Sequence, residues 1–333
     1  MFDNSPNSLA ILNYFDEKFG QIIAPIGLFK VCALISSQLE RPRLSLVHIT
    51  PPRQFKTWTS KDAIAMFPDF VYEAGSDFTI PHLYKDTEGD LDRKCIVIND
   101  GTVLFRSKTS RGSSRVMGGL AELIADEKYH YGDYKTGFDL KGRCNCIMNM
   151  ALASFQRNER ALEESTFLDK FLVLFYRMPL EEQLAYMRKN KWRERAGKQL
   201  IMPEVHVKII ARKVQIGNYA GQLELLVKDF SALSGRAPMG QADAITALAS
   251  AHAILNNRFW LCDDDIEILR IARDYVSNPN APNKGKIIQY WQQGRSIRDI
   301  CLSLGREYEK YRPYVSKVLK DAQNEGVIDT EAV

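Results

Sequence analysis

The sequence has no apolar run close to the ~20 residues that an α-helix needs to cross a bilayer. Its first residues do not join a basic segment to an apolar one; Asp3, Asp16 and Glu17 lie there instead, and no secretory signal is expected. Cysteine is present without a pairing pattern. Cys32, Cys95, Cys144, Cys146, Cys262 and Cys301 form no C-x-x-C pair, and the five histidines form no tract. That argues against a zinc site or a disulfide framework and points to a reducing, cytoplasmic setting. Cys144 and Cys146 alternate within an apolar run and read as buried strand residues. No charge sign dominates either. The 45 basic against 41 acidic residues leave +4, so any basic surface must be local. There is no internal repeat and no low-complexity tract. What remains is ordinary globular composition, 45% hydrophobic and 26% charged over 333 residues. A chain of that length builds about two domains, each able to bury its own core.

Residues 8–39 carry apolar stripes at helical spacing and predict two helices, joined at 23–27 where Pro25 and Gly27 fall. Residues 44–49 are short, apolar and β-branched, as in a buried strand. A loop at 50–57 and a helix at 58–66 follow. Further strands are predicted at 94–98, ending in Asn99-Asp100-Gly101, at 143–148, ending in Asn149, and at 171–175. Between them lie a helical pattern at 116–125 and an aromatic, glycine-punctuated stretch at 128–138 that fits a hairpin. Strands alternating with helices predict an α/β fold with a three-layer core and a mostly parallel sheet. Residues 181–214 are charged, and 219–275 read as helical throughout, with Asp263-Asp264-Asp265 opening the last helix where acids are favourable. Residues 277–283 have linker composition. The expected division is N-terminal helices over 1–43, a core over 44–218, a helical lid over 219–277 and a small helical domain over 278–333.

The loop at 50–57 carries the first chemistry. A phosphate-binding loop follows G-x-x-x-x-G-K-[ST] between a strand and a helix. Lys56 and Thr57 supply its lysine, which neutralises phosphate charge, and its hydroxyl, which ligates Mg²⁺. A helix starting beside them would aim its amides at the anion. Pro52, Arg53, Gln54, Phe55, Lys56, Thr57 and Trp58 form the candidate nucleotide-binding segment. Thr50 and Phe55 stand in the two glycine positions, where glycine normally permits close backbone approach. A chance Lys-Thr at a helix start is the competing explanation. The second element is an acid at the end of a neighbouring strand. Asp100 fits as a metal ligand together with Thr57, or as the group that polarises water. Asn99 can orient but cannot act as a base. A plain Asn-Asp-Gly turn is the competing explanation.

With these elements in order, the chain resembles the AAA+ ATPases, and within them the minichromosome-maintenance-like branch related to replicative helicases. Residues 22–27 with Lys30 are similar to the segment preceding the phosphate loop in that branch, and 122–149 to its helix, hairpin and sensor strand. The likeness spans roughly 22–275. It implies ATP and Mg²⁺ as ligands, Asn149 as the sensor that contacts the terminal phosphate or the attacking water, and a homo-oligomer, ring or filament. Lys170 falls at the position of a trans-acting arginine, with Arg157 and Arg160 nearby. Arg236 falls at a second sensor position, for which Gln241 is an alternative alignment. His252 reads as a core residue of a helix face.

The C-terminal unit predicts a helix ending near Gly294, a second capped by Ser296, a turn at Gly305, a third helix over 314–325 and a short wing from Gly326. That is a helix-turn-helix or winged-helix pattern. Arg306, Lys310, Arg312, Lys317 and Lys320 would contact DNA phosphates; a protein-binding winged helix is the alternative. A second basic stretch, 106–115, reads as a solvated loop or as a surface for a neighbouring subunit or DNA. The expected function is ATP binding and hydrolysis on or with DNA, the alternative a catalytically weak scaffold acting as a DNA-binding adaptor. No membrane partner is expected.

Overall fold

The computed structural model describes the chain except residues 1–3, 76–77, 106–109, 133–136, 165–166, 197–199, 210–211, 277–283, 304–307, 325–327 and 329–333. Five strands form one sheet: β1 (Leu46–Thr50), β2 (Val71–Ala74), β3 (Cys95–Ile98), β6 (Asn145–Ala151) and β7 (Leu172–Phe175), in the order β2-β3-β6-β1-β7. Every pairing is parallel. A parallel sheet is buried on both faces, which is why these strands read as continuous apolar runs. Alternate residues serve opposite faces. Leu46, Cys95, Val97, Ile147, Leu172 and Leu174 join one core, while Val47, Ile96, Ile98, Cys146, Met148 and Val173 join the other.

The first core is covered by α1 (Pro6–Phe19), α2 (Ala24–Ser36), α3 (Lys56–Met66) and three further helices, α8 (Ala220–Ser234), α9 (Pro238–Leu255) and α10 (Asp263–Val276). The second is covered by α4 (Ile80–Thr87), α5 (Ser110–Asp126), α6 (Leu152–Glu164) and an antiparallel hairpin of β4 (Lys128–Gly132) and β5 (Gly137–Lys141). This is the expected three-layer α/β arrangement. The charged stretch after Pro179 begins with α7 (Leu180–Ala196). The last described helices, α11 (Lys284–Gln292), α12 (Ile297–Ser303) and α13 (Tyr308–Asn324), share a small core of Ile287, Ile300, Val315 and Leu319 that includes Ala232 of α8. Ser296 caps α12 as expected, accepting from the Asp299 amide at 3.2 Å. Among the described residues no helix is long and apolar enough to cross a membrane. All six cysteines are free thiols, and Cys144 and Cys146 are buried.

Several expectations need correction. Gly27 is not a break: α2 starts at Ala24 with Pro25 in its first turn, where the missing N–H costs nothing. Asn149 lies within β6 rather than after it, because the strand continues to Ala151. The last helix starts at Tyr308 and runs through Pro313, at the loss of one backbone hydrogen bond. The strand β2 and the helices α4 and α6 were not anticipated; β2 has only four residues, at an edge of the sheet, with Val71 and Tyr72 half-buried and Glu73 exposed. Gly305 and the wing's Gly326 and Val327 lie outside the described residues.

Gly27 is where α1 and α2 touch. A Cβ built there would stand 2.4 Å from the ring of Phe15, which is fully buried. Gly27→Val forces these helices apart, and the expected loss is about 1–3 kcal/mol in urea unfolding; unchanged stability would contradict this packing.

Candidate functional site

Strand β1 is the centre of the site because it and its neighbour β6 send their chains to opposite faces. The helix after β1, α3, packs in the first core, and the helix after β6, α6, in the second. Adjacent parallel strands whose connections part in this way leave a crevice beyond their carboxyl ends, the usual ligand position in open α/β sheets. Here the crevice lies between Thr50 and Ala151, which pair in register.

The β1–α3 loop turns tightly at this edge. Arg53 and Phe55 both adopt left-handed backbone angles, φ 63° and 61°. Glycine takes that conformation without cost; other residues are strained by roughly 1–2 kcal/mol. So the backbone at Phe55 has the form that the glycine of the motif allows. The Phe55 ring is half-buried between Phe19, with ring centres 5.4 Å apart, and Tyr186, at 4.3 Å, contacts that offset the strain. Phe55 precedes α3 without capping it; no side chain caps this helix. The site is thus a helix amino terminus whose first amides have no intrahelical partners. Gln54, expected to bind ligand, is instead buried, bonding Thr50 Oγ1 at 3.1 Å and the Met178 amide at 2.9 Å, which ties the loop to the chain after β7. Pro52 and Arg53 are exposed, Trp58 is 63% exposed, and Lys56 and Thr57 are half-buried. Burial lowers the Lys56 pKa, and the Asp100 carboxylate opposes that shift. Asp100 therefore stands within electrostatic reach of Lys56, as the sequence reading required, and accepts from the Thr102 amide at 3.1 Å.

Beneath the loop sits a residue that the motif does not contain. Lys30 is the single charged side chain of α2 and is 1% exposed. Its ammonium donates within a shell of four acceptors: the Lys56 carbonyl at 2.6 Å, Thr59 Oγ1 at 2.8 Å, Ser60 Oγ at 3.0 Å and Asn149 Oδ1 at 2.8 Å. Among the described residues no carboxylate pairs with it. Burial and the charge of Lys56 push its pKa well down. Asn149 Nδ2 in turn donates to Ser60 Oγ at 2.8 Å and to Asn99 Oδ1 at 3.2 Å, and Asn99 Nδ2 donates to Glu73 Oε1 at 2.5 Å. His48, on the same side of β1, is buried with neither ring nitrogen hydrogen-bonded. Burial first, then Lys30 and Lys56, drive its pKa down, so it stays neutral. Sequence reasoning found Asn99 and Asn149 but missed Lys30, His48, Thr59, Ser60 and Glu73 as parts of the site. The available signal was one lysine inside thirteen otherwise uncharged residues.

Two expected residues lie elsewhere. Leu172 pairs with Leu46 at the amino ends of their strands, so the turn at Phe167–Lys170 sits at the sheet edge opposite the crevice. Lys170 is exposed there, and Arg236 Nη1 donates to the Leu168 carbonyl at 2.8 Å. Both are roughly 15 Å from Lys56, the length of the five-residue β1. Arg236 therefore does not reach the Lys56 crevice of its own chain. Gln241 is buried in α9. Arg157 is on α6; the side chain of Arg160 lies outside the described residues. His252 is a buried core residue, its Nδ1 2.6 Å from Asp265 Oδ1, which Arg258 also grips at 3.0 Å. On α13, Arg312, Lys317 and Lys320 are exposed. Arg306, residues 106–109 and the side chain of Lys310 lie outside the described residues. No protein-family model and no curated protein matches the sequence.

The Lys30 shift has a measurable consequence. Its folded pKa lies below the ordinary 10.5. Between the two values the unfolded chain holds more protons, so stability rises with pH in that window. Lys30→Met removes this dependence. Stability of the native protein relative to Lys30→Met should therefore climb as pH is raised towards 10.5 in parallel urea titrations; parallel curves would show that folding does not lower the Lys30 pKa.

Proposed function

We propose that the chain binds ATP with Mg²⁺ and hydrolyses it as an AAA+-type ATPase that works on or with DNA. The observation that carries this reading is the placement of Lys56 and Thr57. They open an uncapped helix at the carboxyl end of the central strand, with Asp100 in electrostatic reach and Asn149 on the adjacent strand. The residues fit a triphosphate and its cation. Lys56 stands at a helix amino terminus, whose positive potential a polyanion neutralises. When bound, the cation would supply charge stabilisation to the phosphates. Thr57 and Asp100 would hold it. Lys56 balances phosphate charge, Asn149 and Asn99 orient the terminal phosphate or the attacking water, and Glu73, the carboxylate bonded to Asn99, can take a proton where Asn99 cannot. The half-exposed Trp58 ring offers a stacking surface at the mouth.

Lys170 and Arg236 share the opposite edge of the sheet and reach a phosphate only in a second copy. This arrangement fits a ring or filament in which each crevice is completed by a neighbour. The exposed Arg312, Lys317 and Lys320 of α13 supply a cationic face for DNA phosphates, with Arg306 and Lys310 as further candidates. A second reading has one specific support. Asn99 replaces an acid and Lys170 cannot form the planar two-point contact of an arginine, as in a scaffold that binds nucleotide and turns it over slowly while serving as a DNA-binding adaptor.

Lys56→Ala should weaken MgATP binding at least about a hundredfold in calorimetry, with the fold retained; native affinity in that variant would refute the loop assignment. Trans completion makes a separate claim: Lys56→Ala protein mixed with Lys170→Ala protein regains turnover that neither shows alone. Absence of recovery at every mixing ratio would place the whole site in one chain.

A further inference from the structure

Four polar side chains lie in a row on the α2-facing side of the sheet: Lys30 from α2, Asn149 from β6, Asn99 just beyond β3, and Glu73 from β2. Their alignment follows from register. Ile147 pairs with Val97 and Val97 with Glu73, and two residues on, at the same face, come Asn149 and Asn99. The hydrogen bonds all run in one direction. Lys30 Nζ donates to Asn149 Oδ1, Asn149 Nδ2 to Asn99 Oδ1, and Asn99 Nδ2 to Glu73 Oε1.

The direction is fixed chemically at both ends. An ammonium can only donate and a carboxylate can only accept. The two amides between them could each face either way on shape alone. With Lys30 at one end, Asn149 must offer its oxygen inward and its nitrogen towards β3; with Glu73 at the other, Asn99 must do the same one strand further on. Lys30 suits this task because the rest of its shell also accepts. The Lys56 and Asn149 oxygens cannot donate, and the Thr59 and Ser60 hydroxyls reach the Phe55 and Lys56 carbonyls. The charged groups around it, by element, are Lys56 of α3, the neutral His48 of β1 and Asp100 beyond β3, which acts on Lys56. On the far side of α2, Asp265 of α10 is already committed to His252 and Arg258.

We propose that Lys30 and Glu73 are positioning residues that act from opposite ends of this chain to hold the Asn149 amide with its nitrogen on the β3 side, ready to donate to the terminal phosphate. The 3.2 Å bond from Asn149 to Asn99 is the longest link and the one that a phosphate oxygen replaces. This rests on the nucleotide reading above and names two residues that the phosphate-loop motif does not contain. An ATP–ADP distinction follows: the oriented Asn149 amide meets only the phosphate that ADP lacks.

The experiment uses full-length protein labelled with [¹⁵N]asparagine. The side-chain amide signals of Asn149 and Asn99 are assigned by their loss in Asn149→Asp and Asn99→Asp. Without nucleotide, Lys30→Met should raise the water exchange rate of the Asn149 NH₂ by about tenfold or more. Glu73→Ala, at an exposed edge where the fold is not at stake, should do the same for the Asn99 NH₂, and Glu73→Gln, which keeps an acceptor oxygen, should restore it. Unchanged exchange in both Lys30→Met and Glu73→Ala overturns the proposal. With nucleotide, Lys30→Met should reduce the preference for ATP over ADP about tenfold while ADP affinity stays within about threefold. Equal loss for both nucleotides points to a merely structural lysine and also overturns it. If the native protein binds neither nucleotide, the ATPase reading fails by itself, and the exchange rates still decide the chain.

Discussion

The organising constraint of this molecule is a cation buried without a counter-ion. Taking an ammonium out of water costs several kcal/mol even after the surroundings relax. At Lys30 that cost is offset by four oxygens, three from the first residues of α3 and one from β6. The Lys56 carbonyl is in place only because the β1–α3 loop turns left-handed at Phe55. Thr59 and Ser60 face inward only because α3 starts at Lys56. Asn149 is available only because β6 runs beside β1 and stays extended past Met148. A cation is also the one group that fixes which way a neighbouring amide points. The β1–α3 loop, the central strand pair and the direction of the polar row are therefore tied together at one buried side chain.

The two edges of the sheet divide the chemistry. At the carboxyl edge stand the helix amino terminus, Lys56, Thr57, Asp100 and the polar row. At the amino edge stand Lys170 and Arg236, anchored on the turn that precedes β7. Parallel strands separate these groups by a full strand length. On the function proposed above, the two edges would meet between neighbouring copies. The carboxyl edge sets Lys30, Lys56 and the positive end of α3 beside Asp100 and Glu73, with His48 neutral.

The sheet was legible in the sequence because its strands are buried on both faces, leaving unbroken apolar runs at Leu46, Cys95, Cys146 and Leu172. The edge strand β2 was not, since Tyr72 and Glu73 are only partly covered. Helices α8, α9 and α10 followed from their spacing, and Ser296 from its capping chemistry. Gly27 misled because a glycine needed for contact with Phe15 looks the same in sequence as one that breaks a helix. At the site, Lys56 and Asp100 were singled out through the order of strand, loop and helix, and Asn149 through the family resemblance. Lys30 and Glu73 were not, because their roles depend on tertiary contacts, Lys30 with Asn149 119 positions on and Glu73 with Asn99 26 positions on. Arg236 was assigned from its place in the lid without knowledge of which sheet edge the lid helix reaches.

The most direct test of the account is a crystal structure of the protein with a non-hydrolysable ATP analogue and Mg²⁺. The account places the triphosphate against Lys56 and the first amides of α3, the metal between Thr57 and Asp100, and the nitrogen of Asn149 towards the terminal phosphate. A triphosphate bound anywhere else, or one in this crevice that leaves Lys56 and α3 untouched, would contradict it.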